Sequence, residues 1–199
     1  DPIYPSGTNP DGTPVNPDEE PSRTEEGNAY DLLPGESYMK DPTMTVKAKS
    51  KDSYVRMLVT ITKASELEAV FTQLQTMYPG KFANGFLPEE HVDWDSTNWP
   101  CTGMTKDEDN NAYVLEFRYP NVVAGNETED TVLPALFTKL TVPGEITNAQ
   151  LQTLKDMEIE VVGQAIQSTG FETVDDAWAA FDKQTEAEAA LQPSEPSEP

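Results

Sequence analysis

The chain has 199 residues and a formal net charge of −23 at pH 7, with a mass of 22.0 kDa and a sequence pI near 4.1. That balance excludes nucleic acid as an ordinary partner and disfavours anionic membrane surfaces, because like charges repel phosphates; loose association with divalent cations is the most that the acidity offers. One cysteine, Cys101, excludes an internal disulfide, a usage that fits an exported bacterial protein and a cytosolic one alike. The length suits one good-sized domain, and no apolar run approaches the ~18 residues of a membrane span. A chain that begins at Asp1 without methionine reads as a processed product, so the lack of a signal segment is no argument for the cytosol.

Residues 1–28 carry six prolines and few apolar residues beyond Ile3, Tyr4 and Val15, and read as an extended Pro-rich acidic arm. Residues 192–199, with the run Pro-Ser-Glu-Pro-Ser-Glu-Pro, read as an acidic tail. A single domain is expected over residues 29–191. Pro34-Gly35 marks a turn, and Asp41-Pro42 pushes Asp41 away from helical geometry. Met44, Val46 and Ala48 then alternate with Thr45 and Lys47 as in a half-buried strand; Val55, Met57, Val59 and Ile61 repeat the pattern more strongly over Tyr54–Lys63.

Ser65 and Glu68 read as a capping box opening a helix with Leu67, Val70, Phe71, Leu74 and Met77 on one stripe, stopped at Pro79-Gly80. A loop from Gly85 to Pro100 carries Trp94 and Trp99. Cys101–Lys106 and Ala112–Tyr119 then read as a hairpin, with Tyr113, Leu115, Phe117 and Tyr119 on one face. Thr131–Val142 holds one further strand or a pair of short ones, with Phe137, Leu140 and Val142 as core and Pro134 at an edge or bulge.

Thr147 and Gln150 form a second capping box, stapled by Ile146 and Leu151. In Asp156–Gln167, Met157, Ile159, Val161 and Ala165 face inward and Glu158 and Glu160 outward. Thr173 and Asp176 open a last helix bearing Trp178 and Phe181. Irregularly spaced strands with single helices between them argue against a parallel βαβ sheet. The fold expected is mainly β: an antiparallel two-sheet β-sandwich with short helices inserted between strands.

Little in the chain points to catalysis or to a cofactor. His91 is the only histidine, which excludes a zinc-protease motif needing two; a mononuclear site with Glu89 or Asp93 competes with a plain acidic loop. Asp107, Asp109 and Asn111 have the first spacings of a calcium loop. Ala112 stands where glycine is needed, however, and Arg118 where a bidentate glutamate belongs. Nothing in the sequence brings Cys101 to His91 as a thiol dyad, and an inert thiol is expected. Asn126-Glu127-Thr128 is a formal glycosylation sequon. The expectation is a non-enzymatic chain with no catalytic, cofactor or metal residues.

Several short motifs resemble the TasA/camelysin family of exported Gram-positive bacterial proteins, whose signal peptides are cut by a SipW-type peptidase. Asn28–Gly35, Lys40–Val46 and Asp52–Met57 look like the family's early strands. Glu158–Val161, Ala165–Gln167, Gly170-Phe171 and Ala177–Ala180 look like its closing strand and helix. The resemblance implies a jelly-roll-like sandwich, secreted or at the cell surface, serving as a structural subunit of an extracellular fibre or biofilm matrix. Its partners would be further copies of itself or related matrix proteins, joined when a strand of one subunit completes a sheet of the next. A non-polymerising adhesion module displaying Trp94 and Trp99 is the alternative. One departure stands out: Asp1–Gly7 is too short and proline-rich to be the family's apolar donor strand. Either that strand has been removed, or this chain does not polymerise that way; without it the sandwich should be monomeric or leave one groove unfilled.

Overall fold

The computed structural model describes residues 30–86 and 91–191. The Pro-rich arm, the acidic tail and Glu89 lie outside the described residues. The fold is mainly β, with three sheets and a few helices.

The largest sheet has four strands, all antiparallel, in the order β4 (Cys101–Asp107), β5 (Ala112–Arg118), β3 (Ser53–Thr62), β8 (Ile159–Gln167). The ten-residue β3 lies inside it because Val55, Met57, Val59 and Ile61 alternate strictly and are all buried. Two short antiparallel pairs, β1 (Ser37–Met39) with β7 (Lys139–Thr141) and β2 (Thr45–Val46) with β6 (Thr131–Val132), contribute to the same core. That core joins Val55, Met57 and Val59 to Tyr38, Val46, Leu133 and Val142. Thr131–Val142 is therefore the pair of short strands. Pro134 falls between them, and Leu133 and Leu136 join Phe137 in the core.

Helix α1 (Ala64–Met77) lays Leu67, Val70, Phe71 and Leu74 into the core. Met77, expected on that stripe, is 52% exposed. The capping box expected at Ser65 and Glu68 does not form. The N-cap is Lys63 in a left-handed conformation (φ 59°), without a side-chain cap. Asn111 from the β4–β5 turn caps instead: its carbonyl accepts from the Ala64 N–H (2.9 Å) and its Oδ1 from the Ser65 N–H (2.9 Å). Glu68 accepts from Lys106 Nζ (2.9 Å) and from the Tyr113 hydroxyl. Those long-range donors outcompete the local box.

Helix α2 (Asn148–Thr153) has the expected box: Thr147 Oγ1 accepts from Gln150 N–H (3.3 Å), and Gln150 Oε1 accepts from Thr147 N–H (2.9 Å). Ile146 and Leu151 are buried beside it. Helix α3 (Val174–Leu191) starts at the expected Thr173, whose Oγ1 accepts from the Asp176 N–H (3.1 Å). It rests on the outer face of the large sheet. There the buried Arg56 lies 4.3 Å from the Trp178 ring and pairs with Glu116 (3.2 Å) and Asp182. Among the described residues, no helix is long and apolar enough to cross a membrane.

Candidate functional site

The large sheet ends in two strands that each pair on one side. In β8, the Thr62 N–H donates to the Glu158 carbonyl (3.0 Å) and the Ser168 N–H to the Asp52 carbonyl (2.8 Å). An antiparallel ladder alternates, so the even-numbered residues face β3. The N–H and C=O groups of Ile159, Val161, Gly163, Ala165 and Gln167 point outward. No backbone partner meets them among the described residues.

The side chains of that outward row lie on the core face: Ile159 pairs across from Ile61 and Val161 from Val59. Both are only half-buried, and Ala165, expected to face inward under cover, is exposed. The reason is position: β8 is the last strand, so its core-facing row has cover on one side only. Met44 packs close over Gly163, where a Cβ would lie 3.0 Å from its Sδ. At the Ile159 end, an apolar cavity of about 70 Å³ opens between β8, α1 and α2, lined by Leu32, Phe71, Leu140, Leu151, Met157 and Ile159 among others.

At the opposite edge, the outward backbone groups of Met104 and Lys106 in β4 likewise meet no backbone partner among the described residues. A larger hollow of about 310 Å³ lies beneath it, lined by Val92, Trp94, Trp99, Cys101, Leu115 and Phe117. Trp94 is half-buried and stacks on Phe117 with ring centres 4.7 Å apart. Trp99, which the adhesion alternative puts on display in the loop, is fully buried and donates its Nε1–H to the Pro134 carbonyl (2.9 Å). It is a core residue, since a large ring with one satisfied donor is more stable inside.

The residues considered for metal or nucleophilic chemistry do not converge. His91 packs its ring against Phe71 (5.0 Å) and Phe82 (6.4 Å) and lines the small cavity. Asp93 points elsewhere, accepting from the Thr138 N–H (3.0 Å), the Thr138 hydroxyl (2.7 Å) and the Lys139 N–H (2.6 Å). Desolvation raises its pKa, but those three donors outweigh it and hold the carboxyl below its ordinary range. Cys101 is exposed on β4 and lines the other hollow.

Asp107 spends its carboxylate on its own turn, accepting from Asp109 N–H, Asn110 N–H and Asn110 Nδ2 (3.1, 3.0 and 2.7 Å). Asn111 caps α1 and donates to Glu66 (2.8 Å). Among the described residues, no group of three or more metal-ligating side chains gathers. Asn126 closes a turn of its own, its Oδ1 accepting from Thr128 N–H (3.0 Å) and Glu129 N–H (3.2 Å).

The candidate feature is therefore made of backbone groups rather than of converging side chains. The one signal in the sequence was the clean alternation of β8, which reveals a strand but not its place at the rim. No family model, curated protein or solved structure matches the chain.

Proposed function

We propose that this protein is a non-enzymatic structural subunit of an extracellular fibre or matrix, secreted or held at the cell surface. Its sheets would form the two layers of a jelly-roll-like sandwich, and subunits would join when a strand from one completes a sheet of the next. The observation that carries this reading is the bare outer edge of β8, with its half-covered Ile159 and Val161. A row of outward N–H and C=O groups beside apolar side chains is a template for an added strand. Soluble chains usually blunt such an edge with proline, charge or a covering element. Here Ile159–Gln167 contains no proline and a single charge, Glu160.

Hydrogen exchange together with electron microscopy tests the proposal. On assembly, the amides of Val161, Gly163 and Ala165 should slow while fibres appear. Unchanged exchange at these amides in assembled material would overturn it, as would monomers alone at high concentration and salt.

The half-exposed Trp94 above the β4 hollow favours a second reading, a binding module in which that ring stacks on a ligand. Loss of retention on a ligand array by Trp94→Ala, with no change in oligomeric state, would favour it over the first. Trp99 has no part in that test.

A further inference from the structure

We infer that the strand added to β8 is β4 of a second copy, so that copies join edge to edge into one continuous antiparallel sheet. The inference rests on the proposed strand-accepting role of β8 and names its partner. Among protein partners, another extended backbone is what matches a whole row of outward amides and carbonyls, displacing the water that solvates them. Residues 1–29, with six prolines lacking N–H donors, are poorly composed for that part. The β4 edge meets three separate requirements.

Direction comes first. Three successive antiparallel pairings, β4 to β5, β5 to β3 and β3 to β8, make β4 and β8 run oppositely. Placing β4 of one copy beside β8 of the next therefore continues the antiparallel alternation.

Facing comes second. The Tyr119 N–H donates to the Val55 carbonyl (3.0 Å), so odd-numbered residues of β5 face β3 and even-numbered ones face β4. Ala112, Val114 and Glu116 thus bond Asp107, Thr105 and Gly103. That leaves Met104 and Lys106 with outward backbone groups, and Thr102 within the bulge at the Cys101 end. Met104 lies across from Leu115 and Lys106 from Tyr113, on the core face. The outward residues of β8 are on the core face as well. Paired residues in a sheet share a face, so the join aligns the core side of one copy with that of the next.

Cover comes third. Met104 is 46% exposed although it points to the core side, and the 310 Å³ hollow opens beneath its strand. The half-covered Ile159 and Val161 of a neighbouring β8 would lie over that opening. Each edge lacks what the other presents. The contact is head-to-tail, so it does not close at a dimer and propagates as a filament.

At −23 per chain the copies repel one another, so the test belongs at about 0.5 M NaCl, where screening reaches only a few ångström. Met104→Pro and Val161→Pro each remove one outward donor without touching a ladder bond, the position in which an edge strand tolerates proline. Sedimentation of the wild-type chain should show a ladder of species beyond dimer. Each variant alone should need at least about tenfold higher concentration to associate, the equivalent of losing one good hydrogen bond. An equimolar mixture of the two should form a dimer and stop there, because one copy keeps a working β8 and the other a working β4.

A second measurement stands if either proline unfolds its chain. In a Cys101→Ser background, Met104→Cys protein mixed with Val161→Cys protein should form the mixed disulfide in preference to either like pair. If Val161→Pro abolishes association while Met104→Pro leaves it intact, the β4 partner is wrong and strand addition to β8 survives. If neither variant changes association, or the wild-type chain stays monomeric, both readings fall.

Discussion

Trp99 and Trp178 are both buried, yet their indoles are held differently. Trp99 donates to the Pro134 carbonyl, whereas the Trp178 N–H has no acceptor among the described residues and the ring lies over Arg56 instead. Phenylalanine should therefore cost more at position 99. We expect Trp99→Phe to exceed Trp178→Phe by about 1 kcal/mol in urea denaturation, because it strands a buried carbonyl. Equal costs would show that the Pro134 bond contributes nothing. Aromatic residues at strand and helix spacing were legible as core, and Trp178 fits that reading. Trp99 escaped it because it lies in an irregular loop, where no period distinguishes a buried ring from a displayed one.

At the scale of elements, the two capping boxes read from sequence met different fates. Thr147 and Gln150 cap α2 as written, for lack of competing donors nearby. At α1 the Asn111 carbonyl and amide arrive from the β4–β5 turn, with Asn111 itself in a left-handed conformation (φ 49°). Asn111→Ala keeps the backbone carbonyl bond but loses the Oδ1 bond to Ser65 N–H and strains that turn, and should lower stability by about 1–2 kcal/mol. Ser65→Ala should cost less than about 0.5 kcal/mol, the ordinary cost of a surface substitution. Chemical denaturation of the pair distinguishes the caps.

Helix α3 depends on Arg56, which the alternation of β3 placed on an outward face without revealing what covers it. Arg56 bonds Gln164 (2.7 Å) as well as the two carboxylates. Arg56→Met should loosen α3 at a cost of about 2 kcal/mol, below the range for a fully buried pair because Asp182 is half exposed. Faster proteolysis within α3, with the sheet intact, is the expected readout.

For the whole molecule, acidity and hydrogen bonding act in opposite directions as pH falls. Glu66, Glu68, Asp95 and Asp107 are held below their ordinary pKa first by side-chain donors, from Asn111, Tyr113, Asn98 and Asn110 respectively. A depressed folded pKa means that the unfolded chain binds protons first, so this stability is present above the ordinary carboxylate pKa and lost below it. Protonation also relieves the self-repulsion of a chain at −23. The melting temperature should therefore rise slightly from pH 7 to about pH 5, then fall steeply below about pH 4. A melting temperature still climbing at pH 3 would mean that repulsion outweighs every one of these bonds.

Periodicity along the chain was enough to locate β3, the β4–β5 hairpin, β8 and the start of α3, because a burial pattern repeating every two or 3.6 residues is a local property. Composition argues against nucleic acid as a partner, since net charge is a sum over residues. Which strands stand at the rim is another kind of fact. It depends on pairings such as β3 with β8, between residues 98 to 114 positions apart, and no local pattern encodes what fails to lie beside a strand. The same holds for the Asn111 cap, the burial of Trp99 and the clasp on Arg56, each made by groups that only folding brings within hydrogen-bond reach. The candidate interface belongs to this second class, because it consists of backbone groups whose exposure is set by where the sheet stops.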